Sequence, residues 1–163
     1  EPEGVIGEAP EHVYLVEKEE DLDGLPAETK ERLEAAPVAV TTQTTLSQWD
    51  TIRIIAAIRQ RYPDAEIHNE ICRATQTRQE AAVEAAREVE LVLVVGDQCS
   101  NNSNRLVQVV REIAGKPAYL IDGVDDIRPE WLQGVKRVAV TAGSSTPSQI
   151  TRAVIEHLRR WES

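Results

Sequence analysis

The segment LVLVVGDQCSNNSNRL, residues 91–106, decides the predicted fold. Its five consecutive aliphatic residues predict a strand buried on both faces, as strands of parallel sheets are. Gly96 ends this run, and a polar loop leads to a helical pattern that resumes at Leu106. Open α/β folds bind ligands at the carboxyl ends of their strands, so the loop is a candidate ligand site. Alternatively, its Ser and Asn side chains only cap the helix.

The same succession of strand, polar loop and helix recurs along the chain. Polar loops at 41–45, 97–104 and 141–146 each follow a predicted strand, and Cys72 lies before another predicted helix. Strands that alternate with helices predict an α/β fold with parallel sheets. If the elements pack as two small lobes, the four segments meet at one cleft; otherwise each loop caps only its own helix.

The other elements are predicted from periodicity and turn signals. The sequence begins with a turn-rich segment over 4–10, and Gly115 is expected to end a helix in the left-handed conformation. Ser47 and Asp50 suggest a capping box at one helix start. Leu46, Trp49, Ile52, Ile55, Ala56 and Ile58 form that helix's predicted apolar face. Further strands are expected at 12–17, 38–40, 65–67, 117–121 and 136–140, and helices at 26–36, 46–58, 78–88, 106–113, 124–132 and 149–160.

The composition limits the classes of partner. The 163 residues suffice for one ordinary domain or two small ones, and the net charge of −10 argues against nucleic acid or an anionic membrane as partner. No segment approaches the roughly 20 apolar residues of a membrane span, and none resembles a signal peptide. Two cysteines give no disulfide framework, so we expect a cytoplasmic location.

The polar loops suit an anionic ligand. Hydroxyl and amide groups at helix N-termini favour phosphate or diphosphate, although the sequence contains neither a P-loop nor a dinucleotide-binding glycine motif. Cys72 is a candidate core thiol, nucleophile or metal ligand, and Cys99 is expected to be more exposed. The three histidines form no motif and are interpreted as surface or structural residues.

Several segments together resemble one enzyme family. They are TQTTLS at 42–47, ICRATQTRQ at 71–79, SNNSNRL at 100–106 and VTAGSSTP at 140–147. Their order and spacing resemble those of the 4-hydroxy-3-methylbut-2-enyl diphosphate reductases, the IspH or LytB family. The resemblance runs over nearly the whole chain and includes Gly7–Pro10 and Leu15–Glu17.

This resemblance implies a fold and a reaction. Members of the family have three similar α/β lobes around a [4Fe-4S] cluster, and each lobe supplies one cysteine, which leaves one iron open to the substrate hydroxyl. Two electrons and protons remove that hydroxyl as water, which gives isopentenyl and dimethylallyl diphosphates. An electron donor such as ferredoxin or flavodoxin is implied as a partner.

The resemblance also implies roles for individual residues. Cys72 is the third cluster ligand, with Thr75 beside it. Thr44 lies near the substrate hydroxyl. The proton-relay glutamate is best matched by Glu1, because Glu1, Gly4 and Gly7 keep the family's spacing; Glu3 is the alternative. The residues implied to bind the diphosphate are Ser100, Asn102 and Ser145.

The sequence departs from the family in its extent and in its diphosphate loop. We expect residues 1–68 to form part of the middle lobe, 69–156 the third lobe and 157–163 a C-terminal tail. The first lobe and two further cysteines are expected in an N-terminal region on the same or another chain. Cys99 lies where the family usually has Asn, and Asn101 lies where it has Ser. Val5 lies where it usually has Thr. The alternatives are a cluster-free diphosphate-binding module and an inactive truncated relative.

Overall fold

The computed structural model describes residues 2–161, with side chains described from Gly4 onward. The chain divides into two compact units, Glu1–Cys72 and Arg73–Ser163. This division lies four residues after the boundary expected at 68/69. Both units are built from a small parallel sheet flanked by helices, which confirms the predicted α/β class. No helix within residues 2–161 is long and apolar enough to cross a membrane.

The first unit contains a two-stranded parallel sheet. Val40 lies opposite Ile67 in this sheet, so both predicted short strands are confirmed. Ser47 caps the helix that follows the first strand, because its Oγ accepts a hydrogen bond of 3.3 Å from the Asp50 N–H. In chain order the elements are α1 (Pro2–Glu8), α2 (Glu19–Gly24), α3 (Ala27–Ala35), β1 (Ala39–Thr41), α4 (Gln48–Arg61) and β2 (Glu66–His68).

Three expectations for the first unit are wrong. The turn-rich segment 4–10 instead lies largely within α1, where Pro2 occupies the first turn, a position that tolerates its missing N–H. The expected strand at 12–17 is irregular, because a turn folds the N–H groups of His12 and Val13 onto the Ala9 carbonyl. Ile52 is 61% exposed and therefore does not belong to the buried face of α4.

The second unit contains a three-stranded parallel sheet in the order β4-β3-β5, so β3 is the central strand. Val94 on β3 pairs with Leu120 on one side and with Thr141 on the other. The elements are α5 (Arg73–Arg87), β3 (Leu91–Val95), α6 (Asn101–Ile113), β4 (Ala118–Ile121), a 3-10 helix (Val124–Asp126), α7 (Pro129–Leu132), β5 (Val138–Ala142) and α8 (Ser148–Arg159).

Strand β3 is buried on both faces, as its aliphatic run predicts. Val92 and Val94 belong to one core, which they form with residues of α5 and α6. The alternate residues Leu91, Leu93 and Val95 belong to a second core, which includes Leu132 of α7 and Val154 of α8. Helices therefore cover both faces of this sheet, which is the arrangement that keeps a parallel sheet out of water.

Several helix boundaries in this unit differ from the expected ones. Helix α5 begins at Arg73 rather than 78, and α6 begins at Asn101 rather than 106. The helix expected over 124–132 is split, because Pro129 disfavours helical backbone at Arg128, which is extended. Leu158 and Trp161 pack against the second core, although they fall within the expected tail. Gly115 has a φ of +64°, as the prediction of a left-handed helix end requires.

Candidate functional site

The carboxyl ends of β3 and β5 form the switch point of the three-stranded sheet. From β3 the chain passes through α6 to β4 on one side, and it then returns across β3 to β5 on the other side. Open α/β sheets bind ligands at such a point, where neighbouring strands lead to opposite sides. The polar loop after β3 and the segment 143–147 after β5 therefore lie where a ligand site is expected.

The N-terminus of α6 offers hydrogen-bond donors at this edge. Ser100 is extended and caps the helix, since its Oγ accepts a 3.3 Å hydrogen bond from the Ser103 N–H. Asn104 donates its N–H to the Ser100 carbonyl over 3.0 Å. The helix itself supplies no acceptors for the N–H groups of Asn101 and Asn102, because these groups belong to its first turn. Such a terminus favours an anion.

The segment after β5 is fixed to the end of β3 through one carbonyl oxygen. The Gly143 N–H and the Thr146 hydroxyl both donate to the Val95 carbonyl, each over 2.9 Å. A turn closes between them, since the Thr146 N–H donates to the Gly143 carbonyl over 3.2 Å. Ser145 is exposed on this turn. The structure thus brings the Ser145 segment against the strand that leads to Ser100.

Two side-chain atoms at the start of α6 are buried without a hydrogen-bond partner in the part of the chain that the structure describes. They are Nδ2 of Asn102 and Oγ of Ser103. Asn102 is 8% exposed and Ser103 is 1% exposed. Buried polar atoms are nearly always hydrogen-bonded, so the unpaired amide of Asn102 is a donor available to a ligand at this helix N-terminus.

Charged groups flank this edge of the sheet. Asp97 uses Oδ1 within its own loop, where it accepts a 2.6 Å hydrogen bond from the Cys99 N–H. On the other side, Nη1 of Arg78 donates to the Ala142 carbonyl over 3.2 Å, which places a positive charge at the end of β5. Arg78 also lines an open groove of about 590 Å³ along α5, together with Arg73, Ala74, Thr77, Ala81 and Thr141.

A second polar cluster lies at the carboxyl ends of β1 and β2 in the first unit. The Thr42 hydroxyl donates to Oδ1 of Asn69 over 3.2 Å and accepts from the Glu70 N–H over 2.8 Å. The same Asn69 oxygen accepts from the Ile71 N–H over 3.2 Å. The two bonds of Thr42 attach the segment before Cys72 to the end of β1, and the third bond closes a turn within that segment.

Thr44 and Cys72, two of the predicted site residues, are neighbours in this unit. The Cys72 N–H donates to the Thr44 carbonyl over 3.2 Å. Both side chains are exposed, so the interpretation of Cys72 as a core thiol is wrong. The two other interpretations, nucleophile and metal ligand, are compatible with an exposed thiol.

The residues of this chain do not by themselves fit an iron–sulfur cluster. Such clusters are held by several cysteine thiolates. The two cysteines are exposed and lie in different units, Cys72 in the first and Cys99 in the second. Among residues 2–161 no three His, Cys, Asp or Glu side chains lie together as a metal site. A cluster therefore needs ligands from outside this sequence.

The structure thus groups the predicted site residues into two sets. Thr44 and Cys72 lie in the first unit, whereas Ser100, Asn102 and Ser145 lie around the switch point of the second. Thr75 is half-buried on α5, and Glu1 lies outside the described residues. That all four polar segments meet at one cleft stays a prediction.

Sequence reasoning missed the structural importance of four polar residues. Thr42 and Asn69 directly follow two short strands, which is the signal that would have found them. Ser103 occupies a position on the buried face of α6, where it precedes the apolar residues Leu106 and Val110 at helical spacing. The fourth residue, Thr146, gave no such signal.

Comparison with known proteins identifies the family. A sequence model of the LytB protein family matches residues 1–159. The chain belongs to the LytB family. Curated relatives named 4-hydroxy-3-methylbut-2-enyl diphosphate reductase include one from Symbiobacterium thermophilum, 55% identical over 99% of this chain and 53% of its own length. One from Bacillus subtilis is 51% identical over 99% of this chain and 50% of its own length. The chain thus spans about half the length of the curated relatives it matches.

Solved structures agree with this assignment. The E-1-hydroxy-2-methyl-but-2-enyl-4-diphosphate reductase from Plasmodium falciparum superposes with a TM-score of 0.85 at 32% identity, over 96% of this chain and 48% of that one. A second structure, described as the terminal enzyme of the non-mevalonate pathway, gives a TM-score of 0.53 at 30% identity, over 84% of this chain and 49% of that one. The LytB fold is therefore supported by sequence and by structure.

Proposed function

We propose that this LytB-family chain is part of an iron–sulfur oxidoreductase that converts 4-hydroxy-3-methylbut-2-enyl diphosphate to isopentenyl and dimethylallyl diphosphates. The substrate takes up two electrons and two protons, its carbon–oxygen bond breaks, and the hydroxyl leaves as water. The names of the relatives support this reaction. Because the chain spans about half the length of those relatives, we assign to it only part of the residues of the active site.

That part includes the diphosphate site at the switch point of the second unit. The observation that carries this assignment is the buried, unpaired Nδ2 of Asn102 at the capped N-terminus of α6. A diphosphate oxygen there would accept from this amide and from the free backbone N–H groups of the first turn. The Ser100 hydroxyl can donate its proton to the ligand while its oxygen caps the helix. Ser145 would add a hydroxyl from the neighbouring turn.

The departures from the family pattern leave donors in this loop. Asn101 carries an amide where the family has a hydroxyl, and it is exposed at the start of α6. Cys99 carries a weak S–H donor where the family has an amide. We propose that the backbone N–H groups and Asn102 provide most of the binding energy, because neither departure removes them.

The first unit would supply one cluster ligand. We assign this role to Cys72, with Thr44 near the substrate hydroxyl and Glu1 as the proton relay. The other cysteines would come from an N-terminal region on the same or another chain, and electrons from a donor such as ferredoxin or flavodoxin. In this proposal residues 1–68 correspond to part of the family's middle lobe and 69–156 to its third, and the enzyme works in a reducing cytoplasm.

Calorimetric titration with inorganic diphosphate tests the binding site. Replacing Asn102 by Ala should weaken binding about tenfold or more, because a buried donor to a charged ligand is lost. Asn69→Ala is the matched control, since it removes an asparagine from the other unit. Equal affinities of the wild-type chain and the Asn102→Ala variant would contradict the assignment.

Anaerobic iron and sulfide analysis of the native protein tests the cluster. Cys72→Ser should abolish most of the bound iron, whereas Cys99→Ser should retain it, because only Cys72 is assigned as a ligand. A second candidate is a diphosphate-binding module without a cluster, because the two cysteines of this chain lie in different units. Undiminished diphosphate binding by native protein that holds no iron would support that candidate.

A further inference from the structure

Ser103 lies between two glycines that end neighbouring strands. A Cβ atom added to Gly96, after β3, would clash with Oγ of Ser103, and so would one added to Gly143, after β5. The serine hydroxyl therefore fills the space that both glycines leave open. Ser103 is 1% exposed, so its hydroxyl is enclosed by the protein and does not line the open surface.

Thr146 takes part in the same contact between the start of α6 and the turn after β5. Its Oγ1 would be 3.3 Å from a Cβ at Gly96 and 3.2 Å from one at Gly143, and it donates to the Val95 carbonyl. The start of α6 and the turn after β5 thus meet through two hydroxyl side chains. No larger side chain fits at either glycine without movement of this contact.

The Ser103 hydroxyl has no hydrogen-bond partner among the described residues. A buried unpaired hydroxyl destabilises a fold, and alanine would avoid this penalty at the same position. The contact adjoins the proposed diphosphate site, since Ser103 follows Asn102 directly and Gly143 precedes Ser145 by two residues.

We propose that Ser103 is a positioning residue for diphosphate binding. It sets the separation between the start of α6, which bears Ser100 and Asn102, and the turn that bears Ser145. It acts through these three residues and does not contact the ligand itself. This inference rests on the proposed diphosphate site and adds to it the residue that fixes its width.

A rescue experiment tests the contact. Gly143→Ala should weaken inorganic diphosphate binding and lower the unfolding temperature, because the new methyl group meets Oγ of Ser103. Adding Ser103→Ala should relieve most of this effect, since it removes the clashing Oγ and leaves Ser103 Cβ at 3.6 Å and Thr146 Oγ1 at 3.2 Å from the Gly143 methyl group. Gly96→Ala is the matched control: its methyl group would be 3.0 Å from Ser103 Cβ, so the same second substitution should relieve it much less.

Ser103→Ala alone separates positioning from stability. We expect diphosphate affinity to fall about three- to tenfold while the unfolding temperature stays the same or rises. Hydrogen exchange of the amides at 143–147 should accelerate in this variant, because the turn loses its neighbour. A purely structural serine would lower stability and affinity together. Unchanged affinity in Ser103→Ala, or no rescue of Gly143→Ala, would overturn the proposal.

The readouts distinguish this proposal from the function on which it rests. If the wild-type chain fails to bind inorganic diphosphate, the proposed site is wrong, and with it the positioning of a diphosphate. Rescue of the unfolding temperature and faster exchange at 143–147 would then show that the contact itself exists. If the wild-type chain binds diphosphate but Ser103→Ala binds equally well, only the positioning role is wrong.

Discussion

The backbone N–H of Cys72 donates a hydrogen bond of 3.2 Å to the carbonyl oxygen of Thr44. The bond joins the segment after β2 to the loop after β1 at the point where the two parallel strands end. The Thr42 hydroxyl adds two further bonds between the same two segments, to Asn69 and from the Glu70 N–H, and Asn69 accepts a third bond from Ile71 within its own segment. The backbone at Cys72 is therefore held by polar groups at both strand ends, although its side chain is exposed.

Replacing Thr42 by Val should release the segment before Cys72. The variant keeps the side-chain shape but loses the hydroxyl that bonds Asn69 and the Glu70 N–H. We expect the amides of Glu70 and Ile71 to exchange several-fold faster and the free energy of unfolding to fall by about 1 kcal/mol. Hydrogen exchange followed by mass spectrometry of the peptide covering 69–72 measures the first effect.

Thr42→Ser is the control for this prediction, because it keeps the hydroxyl and removes only a methyl group. Its exchange rates should stay close to those of the wild-type chain. Equal exchange rates in Thr42→Val and Thr42→Ser would show that the hydroxyl bonds do not hold this segment.

Local signals in the sequence predicted the parts of the fold that depend on local chemistry. The aliphatic run at 91–95 predicted the central strand, because such a run, ended by Gly96, is typical of a strand covered on both faces. Ser47 and Ser100 were predicted near helix starts, and each caps its helix. Gly115 has the left-handed conformation that its position predicted.

Features that depend on distant contacts were not predictable in this way. The segment 12–17 has the composition of a strand, but a strand needs a partner and the turn after Ala9 directs it elsewhere. Ser103 appears in the sequence as one polar residue among several. Its burial against Gly96 and Gly143 arises only when β3 and β5 lie side by side. The polar loops were predicted as an anion site from their positions before helices, whereas the individual roles proposed for Ser100, Asn102 and Ser145 came only from family motifs.

Ser100 combines two roles that substitutions should separate. Ser100→Ala should lower the free energy of unfolding by about 1 kcal/mol through loss of the helix cap and should also weaken diphosphate binding. Ser100→Asp keeps a capping oxygen and places a negative charge favourably at the helix N-terminus, so stability should be retained. The same charge should repel diphosphate and abolish its binding. Urea denaturation and calorimetric titration measure the two effects.

Ser47 provides the matched control, because its Oγ caps α4 with the same 3.3 Å geometry in the other unit. Ser47→Ala should lower stability about as much as Ser100→Ala, in the range of a lost cap, about 0.5–2 kcal/mol. It should leave diphosphate affinity unchanged. A loss of affinity in Ser47→Ala would show that the effect of Ser100→Ala is only a consequence of lower stability.

Tyr119 on β4 stacks on Trp131 of α7, with ring centroids 3.9 Å apart and planes 2° from parallel. Helix α7 has only four residues, too few to be stable without packing. Tyr119→Leu, Trp131→Leu and the double variant form a double-mutant cycle. In urea denaturation the effect of the double variant should differ from the sum of the two single effects by about 1 kcal/mol. The control pair is Tyr119 with Trp49, which lies in the other unit. The changes in unfolding free energy caused by these two Leu substitutions should add. Additive effects for Tyr119 and Trp131 would contradict the stacking contribution.

Glu90 should make stability dependent on pH. The Arg137 N–H donates a 2.7 Å hydrogen bond to its Oε2, and this bond, with the nearby guanidinium, holds the pKa of Glu90 below its ordinary value of 4.5. The folded state therefore favours the carboxylate, and the stabilisation is present above the unfolded pKa. It is lost as the pH falls through the lower, folded pKa.

The expected result is a difference between wild-type chain and Glu90→Gln that depends on pH. The wild-type chain should be the more stable of the two at pH near 7. The difference should shrink as the pH falls from about 4.5, the ordinary pKa, through the lower, folded pKa, below which both side chains are neutral. Glu88→Gln is the control, since it removes an exposed glutamate charge two residues away. Urea midpoints measured from neutral to acid pH give the comparison. A difference that stays constant over this range would mean that the hydrogen bond does not depend on ionisation of Glu90.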